Sequence, residues 1–375
     1  MKAYIFYRQL FDPFGDHIMV GGIETYLMDL SEILIEKGIV PTIIQSSLVD
    51  FEKEFNGITI KGYHVKANNI YKQLYLKIKD KISEEDLVIW GLDRASVKIP
   101  HKRTISIQHG IPFDYYQEEI KLHRILKKCG FGHFLKRVQR NRAIKAFKNS
   151  TIQVCVDYNF WNWYRTFCLP EEESNIYVIP NYAKVNKLKE HRNIKAGEVL
   201  KIIFARRFVR MRGVEEYIKV AEHFKNDKRV SVTFAGEGPY MQKIADVAQN
   251  SNNIFITKYQ SGEAVEFHCD YDIAVVPSIA SEGTSLSLLE AMAAGNVVIS
   301  TCVGGMTNIL LDGFNGFFVR PNNSSDIIKI IENLLLDEER RKIVSNNAVE
   351  TIKQSFSFDI WKKKWNIVID NIYKQ

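Results

Sequence analysis

Chemistry concentrates in the run Ser281-Glu-Gly-Thr-Ser-Leu-Ser-Leu-Leu-Glu-Ala-Met-Ala-Ala-Gly295, whose glutamates Glu282 and Glu290 are separated by seven residues. Two carboxyls that cleave one glycosidic bond stand ~5 Å apart in retaining enzymes and ~6.5–9.5 Å apart in inverting ones. Eight helical steps rise about 12 Å. The pair is therefore spaced along an extended ligand rather than across one bond. The structural alternative is that Glu290 caps a helix and Glu282 is solvated. Thr284, Ser285 or Ser287 can cap the helix, Ser287-x-x-Glu290 fits a capping box, and Gly295 fits the helix end. The start of such a helix offers free N–H groups and a positive dipole end, which suits a phosphate.

Upstream, Phe204-Ala-Arg-Arg-Phe-Val-Arg-Met-Arg-Gly213 holds four arginines. Arg207 and Arg212 can clamp a diphosphate, because guanidinium forks match phosphate oxygens. Arg206 and Arg210 read as a solvated basic loop. Gly236-Glu-Gly-Pro239 allows close backbone approach but lacks the third glycine of a dinucleotide fingerprint. His109 follows an apolar run and precedes Gly110; it either acts on a ligand or bonds to neighbouring backbone. Asp270-Tyr-Asp272 has the form of a metal-binding pair, but Asp272 stands at the amino end of its strand, away from where ligands sit in such sheets. No metal ligand is assigned. Five scattered cysteines without CxxC exclude a disulfide framework or zinc site and predict buried, reduced thiols.

These residues need elements to hold them. Apolar runs predict strands at Ala3–Tyr7, Thr42–Ile44, Leu87–Trp90, Thr104–Gln108 and Thr151–Val156, then at Lys201–Ala205, Val230–Ala235, Ile254–Thr257, Ile273–Val276, Val297–Thr301 and Gly316–Val319. Helical patterns lie between them, at Ile23–Glu36, Gly213–Phe224, Tyr240–Ala248 and Leu286–Ala294. Continuous apolar strands alternating with helices imply an α/β chain of parallel sheets covered on both faces. The polar stretch Lys184–Gly197 reads as a linker. It divides an N-terminal domain, 1–183, from a C-terminal domain, 184–355, followed by a terminal helix, 356–375, that can cross back to the first domain. In open α/β sheets, ligands bind beyond the carboxyl ends of the strands. The candidate residues follow strands in that way.

Five ordered pieces of the second half resemble the retaining glycosyltransferases of family 4. They are Phe204–Gly213, Phe234–Pro239, Tyr271–Ser278, Glu282–Gly295, and Val303-Gly-Gly305 with Asp312-Gly-Phe-Asn-Gly316. Gly21-Gly-Ile-Glu-Thr-Tyr26, Gln108-His-Gly110 and Val178-Ile-Pro-Asn181 extend the resemblance more thinly into the first half. The resemblance implies the GT-B fold: two Rossmann-like, doubly wound domains facing across a cleft, the first for the acceptor and the second for a nucleotide-sugar, UDP- or GDP-linked. It implies that Arg207 and Arg212 bind the donor diphosphate, Glu282 holds sugar hydroxyls, and Glu290 binds the ribose. Backbone at Gly283, Thr284, Ser285 and Leu286, and at Gly236 and Gly238, would approach the donor. Gly21 and Gly22 would admit diphosphate and acceptor, and His109 would reach the reacting sugar. Arg206 stands where the family has glycine, and Arg212 where it has lysine. The activity implied is metal-independent transfer of a hexose to a glycan or lipid-linked acceptor, with no cofactor, in polysaccharide or lipopolysaccharide synthesis. A phosphorylase or epimerase on the same fold and a non-catalytic nucleotide-sugar-binding subunit are the alternatives.

Apolar residues make up 46% of the chain and charged residues 25%, which excludes disordered and fibrous classes. No apolar run reaches the ~18 residues of a membrane span, and the opening MKAYIFYR reads as a strand rather than a leader, so a cytoplasmic protein is expected. The net charge is +7. The segment Lys121–Lys148 holds ten Lys or Arg and no acid, so subtracting ten from +7 leaves −3 for the remainder. Leu122, Ile125, Leu126 and Cys129, then Phe131, Phe134, Leu135 and Val138, recur at helical spacing within it. A basic amphipathic surface suits an anionic membrane at the inner face of the cell. The alternative is a helix packed on the domain with a solvated charged face. No motif accompanies it that would suit nucleic acid.

Overall fold

The computed structural model describes residues 1–374 except 20, 67, 112, 115–120, 168–174 and 186–196. Most of the expected linker, and Cys168, lie outside the described residues. The chain forms two compact units: residues 1–109, 116–179 and 362–375, and residues 110–115 and 180–361.

Among the described residues the first unit carries eight strands: β1 (Lys2–Phe6), β2 (Val40–Ser47), β3 (Phe51–Phe55), β4 (Ile58–His64), β5 (Leu87–Trp90), β6 (Thr104–Gln108), β7 (Ile152–Cys155) and β8 (Ile176–Val178). Their order is β3-β4-β2-β1-β5-β6-β7-β8. Every described pairing is parallel except β3 with β4. That hairpin turns at Asn56 and Gly57, both left-handed at φ 50° and 75°, as a two-residue primed turn requires. One face of β1 and β5 buries Tyr4, Phe6, Val88 and Trp90 under Tyr71, Leu74 and Ile78 of the helix Ile70–Ile78.

The described residues of the second unit form six strands: β9 (Leu200–Ala205), β10 (Val230–Ala235), β11 (Ile254–Thr257), β12 (Ile273–Val276), β13 (Val297–Thr301) and β14 (Phe317–Val319). All pair in parallel, in the order β11-β10-β9-β12-β13-β14. This doubly wound order reverses between β9 and β12. Alternation along the strands fills both faces. Ile202, Phe204, Val232, Phe234 and Val275 pack with Val214, Tyr217 and Ile244. Ile203, Ala205, Ala274, Val276 and Val298 pack with Leu288, Leu289, Met292 and Ile352.

The last helix, Phe358–Lys374, begins in the second unit and ends in the first. In the second, Tyr182 packs on Trp361 with ring centroids 4.4 Å apart. In the first, Trp365 Nε1 donates to Tyr26 Oη at 2.9 Å. Among the described residues, no helix is long and apolar enough to cross a membrane, and no three His, Cys, Asp or Glu are placed to hold a metal ion. Asp272 instead accepts from the Lys201 amide at 2.7 Å. Two thiols correct the buried-cysteine expectation: Cys155 and Cys269 are buried, whereas Cys129 and Cys302 are exposed.

Candidate active site

Arg206 leaves the carboxyl end of β9, and Ser278 and Glu282 follow β12, so all three sit at the reversal point of the second sheet. Arg206 corrects the solvated-loop expectation. Its side chain is 5% exposed and Glu282's is 8%. Arg206 Nη2 donates to Glu282 Oε1 at 2.6 Å and Oε2 at 2.8 Å, and Nη1 donates to Ser278 Oγ at 2.6 Å. Arg212 Nη1 lies 2.6 Å from Glu282 Oε2. Ser278 Oγ also donates to Glu282 Oε1. A buried guanidinium is tolerable only with such partners. Burial opposes ionisation of Glu282, but Arg206, Arg212 and the hydrogen bonds overcome it and hold its carboxyl far below the usual range.

Glu282 is therefore neither solvated nor open to sugar hydroxyls in this state, because three donor groups already make four contacts to its two oxygens. Arg207 differs from its neighbour. It is exposed, and its guanidinium makes no hydrogen bond or ion pair with a described residue. Arg210 lies at the surface, its Nε 3.3 Å from Glu215.

Gly213 makes the turn that carries Arg212. Its φ is +77°, and a Cβ there would lie 1.8 Å from the Pro277 carbonyl oxygen. Gly236 and Gly238 pack against the arginine loop: a Cβ would fall 2.3 Å from the Arg206 oxygen or 2.6 Å from the Phe208 oxygen. Their freedom from side chains is used within the protein. Gly283 is threaded between Gly110 and Gly305, whose Cβ atoms would come within 2.8 Å and 2.7 Å of its backbone. Thr284 is buried; its Oγ1 accepts from the Asn181 amide at 3.1 Å, and Asn181 Nδ2 donates to its carbonyl at 2.6 Å.

The helix Leu286–Ala293 follows, with Ser285 at its N-cap position. The capping-box expectation is corrected, because Ser287 lies inside the helix and no side chain caps it. Ser285 Oγ faces Arg206 Nη2 at 3.5 Å and Ser287 Oγ at 3.3 Å. The first-turn amides are thus left to a ligand or solvent. Glu290, one turn further on, is partly buried. Desolvation pushes its carboxyl up to about 7, although Arg206 pulls the other way.

The remaining candidates belong to the first unit. Gly21 is the extended N-cap, φ −168°, of the helix Gly22–Glu36, again without a side-chain cap. His109 Nε2 donates to the Gly91 carbonyl at 3.1 Å, and the Tyr26 ring stands edge-on with centroids 5.4 Å apart. That bond matches the backbone alternative. Burial pushes the imidazole down to about 4, so it is neutral at pH 7, and Nδ1 makes no hydrogen bond to a described residue. The basic segment forms helices Lys121–Lys128 and Gly132–Phe147. The first buries no residue, while Ala143, Ala146 and Phe147 anchor the second. Leu122, Ile125, Phe131 and Phe134 are 61%, 46%, 57% and 64% exposed. The packed-helix alternative therefore holds only for the end of the second helix.

Residues 186–351 match the family described as "Glycosyl transferases group 1". An uncharacterized glycosyltransferase of Methanocaldococcus jannaschii is 26% identical over 305 residues, covering 79% of this chain and 74% of that one. The lipopolysaccharide 1,2-N-acetylglucosaminetransferase of Salmonella typhimurium is 33% identical over 123 residues, 32% of each chain. The structure of Anabaena HepE in complex with UDP superposes with a TM-score of 0.74 at 14% identity, covering 99% of this chain and 100% of that one. Given that match and these similarities, the second half of the chain resembles the group 1 glycosyl transferases, and the chain has the GT-B fold.

Proposed function

We propose that this glycosyltransferase is a family 4 enzyme. It moves a hexose, with retention, from a UDP- or GDP-linked donor to a glycan or lipid-linked acceptor in surface polysaccharide or lipopolysaccharide synthesis. The observation that carries this is the arginine cluster, Arg206 with Arg212, ion-paired on Glu282 beside the uncapped start of the helix Leu286–Ala293. Glycosyl transfer loads negative charge onto the departing diphosphate. Preorganised guanidinium groups and helix-start amides stabilise that charge without reorganising. Arg207, exposed beside the cluster, adds a third cation. In this reading Glu290, partly buried on the same helix, accepts from ribose hydroxyls. Neutral His109 keeps one ring lone pair for a hydroxyl of the reacting sugar. No step requires a cofactor or metal ion.

Incubating the purified chain with a panel of UDP- and GDP-hexoses and glycan or lipid-linked acceptors tests the activity. The anomeric signal of the product by NMR tests retention. Turnover should persist in excess chelator; loss that magnesium or manganese restores would refute metal independence. Sugar transfer to inorganic phosphate alone would replace this reading with a phosphorylase.

The exposed apolar residues of Lys121–Phe134 amid one-signed charge support a peripheral site on the anionic inner face of the membrane. The chain should float with phosphatidylglycerol vesicles, less so at high salt, and Phe134→Ser should weaken it. Flotation equal with neutral vesicles, or none, would remove the membrane from the reading.

A further inference from the structure

Glu282 is held twice over. Arg212 reaches it from the turn Arg210–Arg212 with a side chain 34% exposed. Arg206 reaches it from the end of β9 with a side chain 5% exposed, and Ser278 fixes the far side of that guanidinium. The half-exposed arginine is the one able to turn toward a ligand, whereas the buried one is anchored.

Resting on the nucleotide-sugar reading above, we propose that Arg206 is a positioning residue for diphosphate binding. It keeps Glu282 satisfied by itself, so that Arg212 is released from that carboxylate to the incoming diphosphate. With Arg206 in place, departure of Arg212 leaves Glu282 two guanidinium hydrogen bonds and one from Ser278. Without Arg206, the same departure strands a buried carboxylate on one hydroxyl, and a buried charge stripped of its partner is costly. Arg212 then stays on Glu282 and is lost to the ligand. The cluster also balances in charge. Two arginines against one glutamate leave a single positive charge, which with exposed Arg207 answers the two charges of a nucleotide-sugar's diphosphate. Arg206 thus alters how the site binds without touching the diphosphate.

Titration calorimetry with UDP and with GDP, on the full chain at pH 7.5, tests this in four forms: wild type, Arg206→Met, Glu282→Gln and the double variant. Binding by Arg206→Met should weaken roughly 10- to 100-fold. The double variant should bind within about threefold of Glu282→Gln alone, because no stranded charge remains. A merely structural role for Arg206 would leave the double variant as weak as Arg206→Met. That result, or wild-type affinity in Arg206→Met, overturns the proposal while the nucleotide reading stands. Wild type that binds neither nucleotide overturns both. If Arg206→Met does not fold, Arg206→Lys serves. One ammonium cannot reproduce the forked contact to Glu282 and Ser278, so its binding should weaken and recover in the same pattern with Glu282→Gln.

Discussion

Replacing Glu290 by glutamine should stabilise the protein above neutral pH and leave it nearly unchanged near pH 4.5. The folded carboxyl titrates at about 7, against an ordinary value of 4.5. Between those values the folded chain keeps a proton that the unfolded chain has released, so stability falls as pH rises across that window and is level above it. The full difference corresponds to about 3 kcal/mol. Glu290 retains some contact with solvent, which reduces this to about 1–2 kcal/mol. The cause is desolvation beside the buried face of the helix Leu286–Ala293, with Arg206 too committed to Glu282 to offset it. Glutamine has a similar shape and no charge to desolvate. Scanning calorimetry from pH 4.5 to 8.5 should show the variant's melting temperature drawing ahead of wild type between pH 5 and 7. The lead should level at roughly 2–8 °C, taking 2–4 °C per kcal/mol for a unit of this size. A gap that is constant with pH, or wild type gaining as pH rises, would refute the desolvation argument.

Other consequences can be checked independently. Gly213→Ala should destabilise the fold by about 2–4 kcal/mol, because the left-handed turn and the Pro277 oxygen both exclude a Cβ; a loss under about 0.5 kcal/mol in thermal unfolding would contradict the geometry. Arg207→Ala should change stability by no more than about 0.5 kcal/mol yet lower turnover ~10²–10³-fold. Turnover within threefold of wild type would exclude Arg207 from the chemistry. By NMR, the His109 imidazole should stay neutral as pH falls toward about 4, and its burial should cost stability only as pH drops from about 6.5 through that value. A midpoint between 6 and 7 would show that the ring is not desolvated.

Period and apolar runs make most strands of both sheets legible, commonly with ends shifted by a residue: Ala3–Tyr7 is expected and Lys2–Phe6 observed, although Thr42–Ile44 is expected where the longer Val40–Ser47 is observed. The hairpin β3–β4 escapes a search for apolar runs although its Asn56-Gly57 turn is a strong local cue. Its first strand, Phe51-Glu-Lys-Glu-Phe55, lies at the sheet edge and alternates rather than forming an apolar run. Strand β8, three half-buried residues, is too short to register. The helices Ser324–Leu336 and Glu338–Ser355 are not among the expected ones, the latter being mostly polar with only every third or fourth residue buried.

The site was legible in residue types and illegible in their partnerships. Arg206 and Arg207 are adjacent and identical, and neighbouring side chains at a strand end diverge. Which of the two turns inward is decided by Glu282, 76 positions away. The same limit governs the two glutamates, which read as equivalent letters. The fold drives them apart: Glu282 is locked as an anion by two guanidinium groups, while Glu290 is pushed toward neutrality by desolvation. Opposed environments of this kind assign different tasks to like residues. While both guanidinium groups hold it, the locked carboxylate organises cations, whereas the adjustable one can meet a hydroxylated ligand in either protonation state. The task implied by resemblance for Glu282, gripping sugar hydroxyls, requires one of its present donors to move first, and Arg212 is the donor with room to do so.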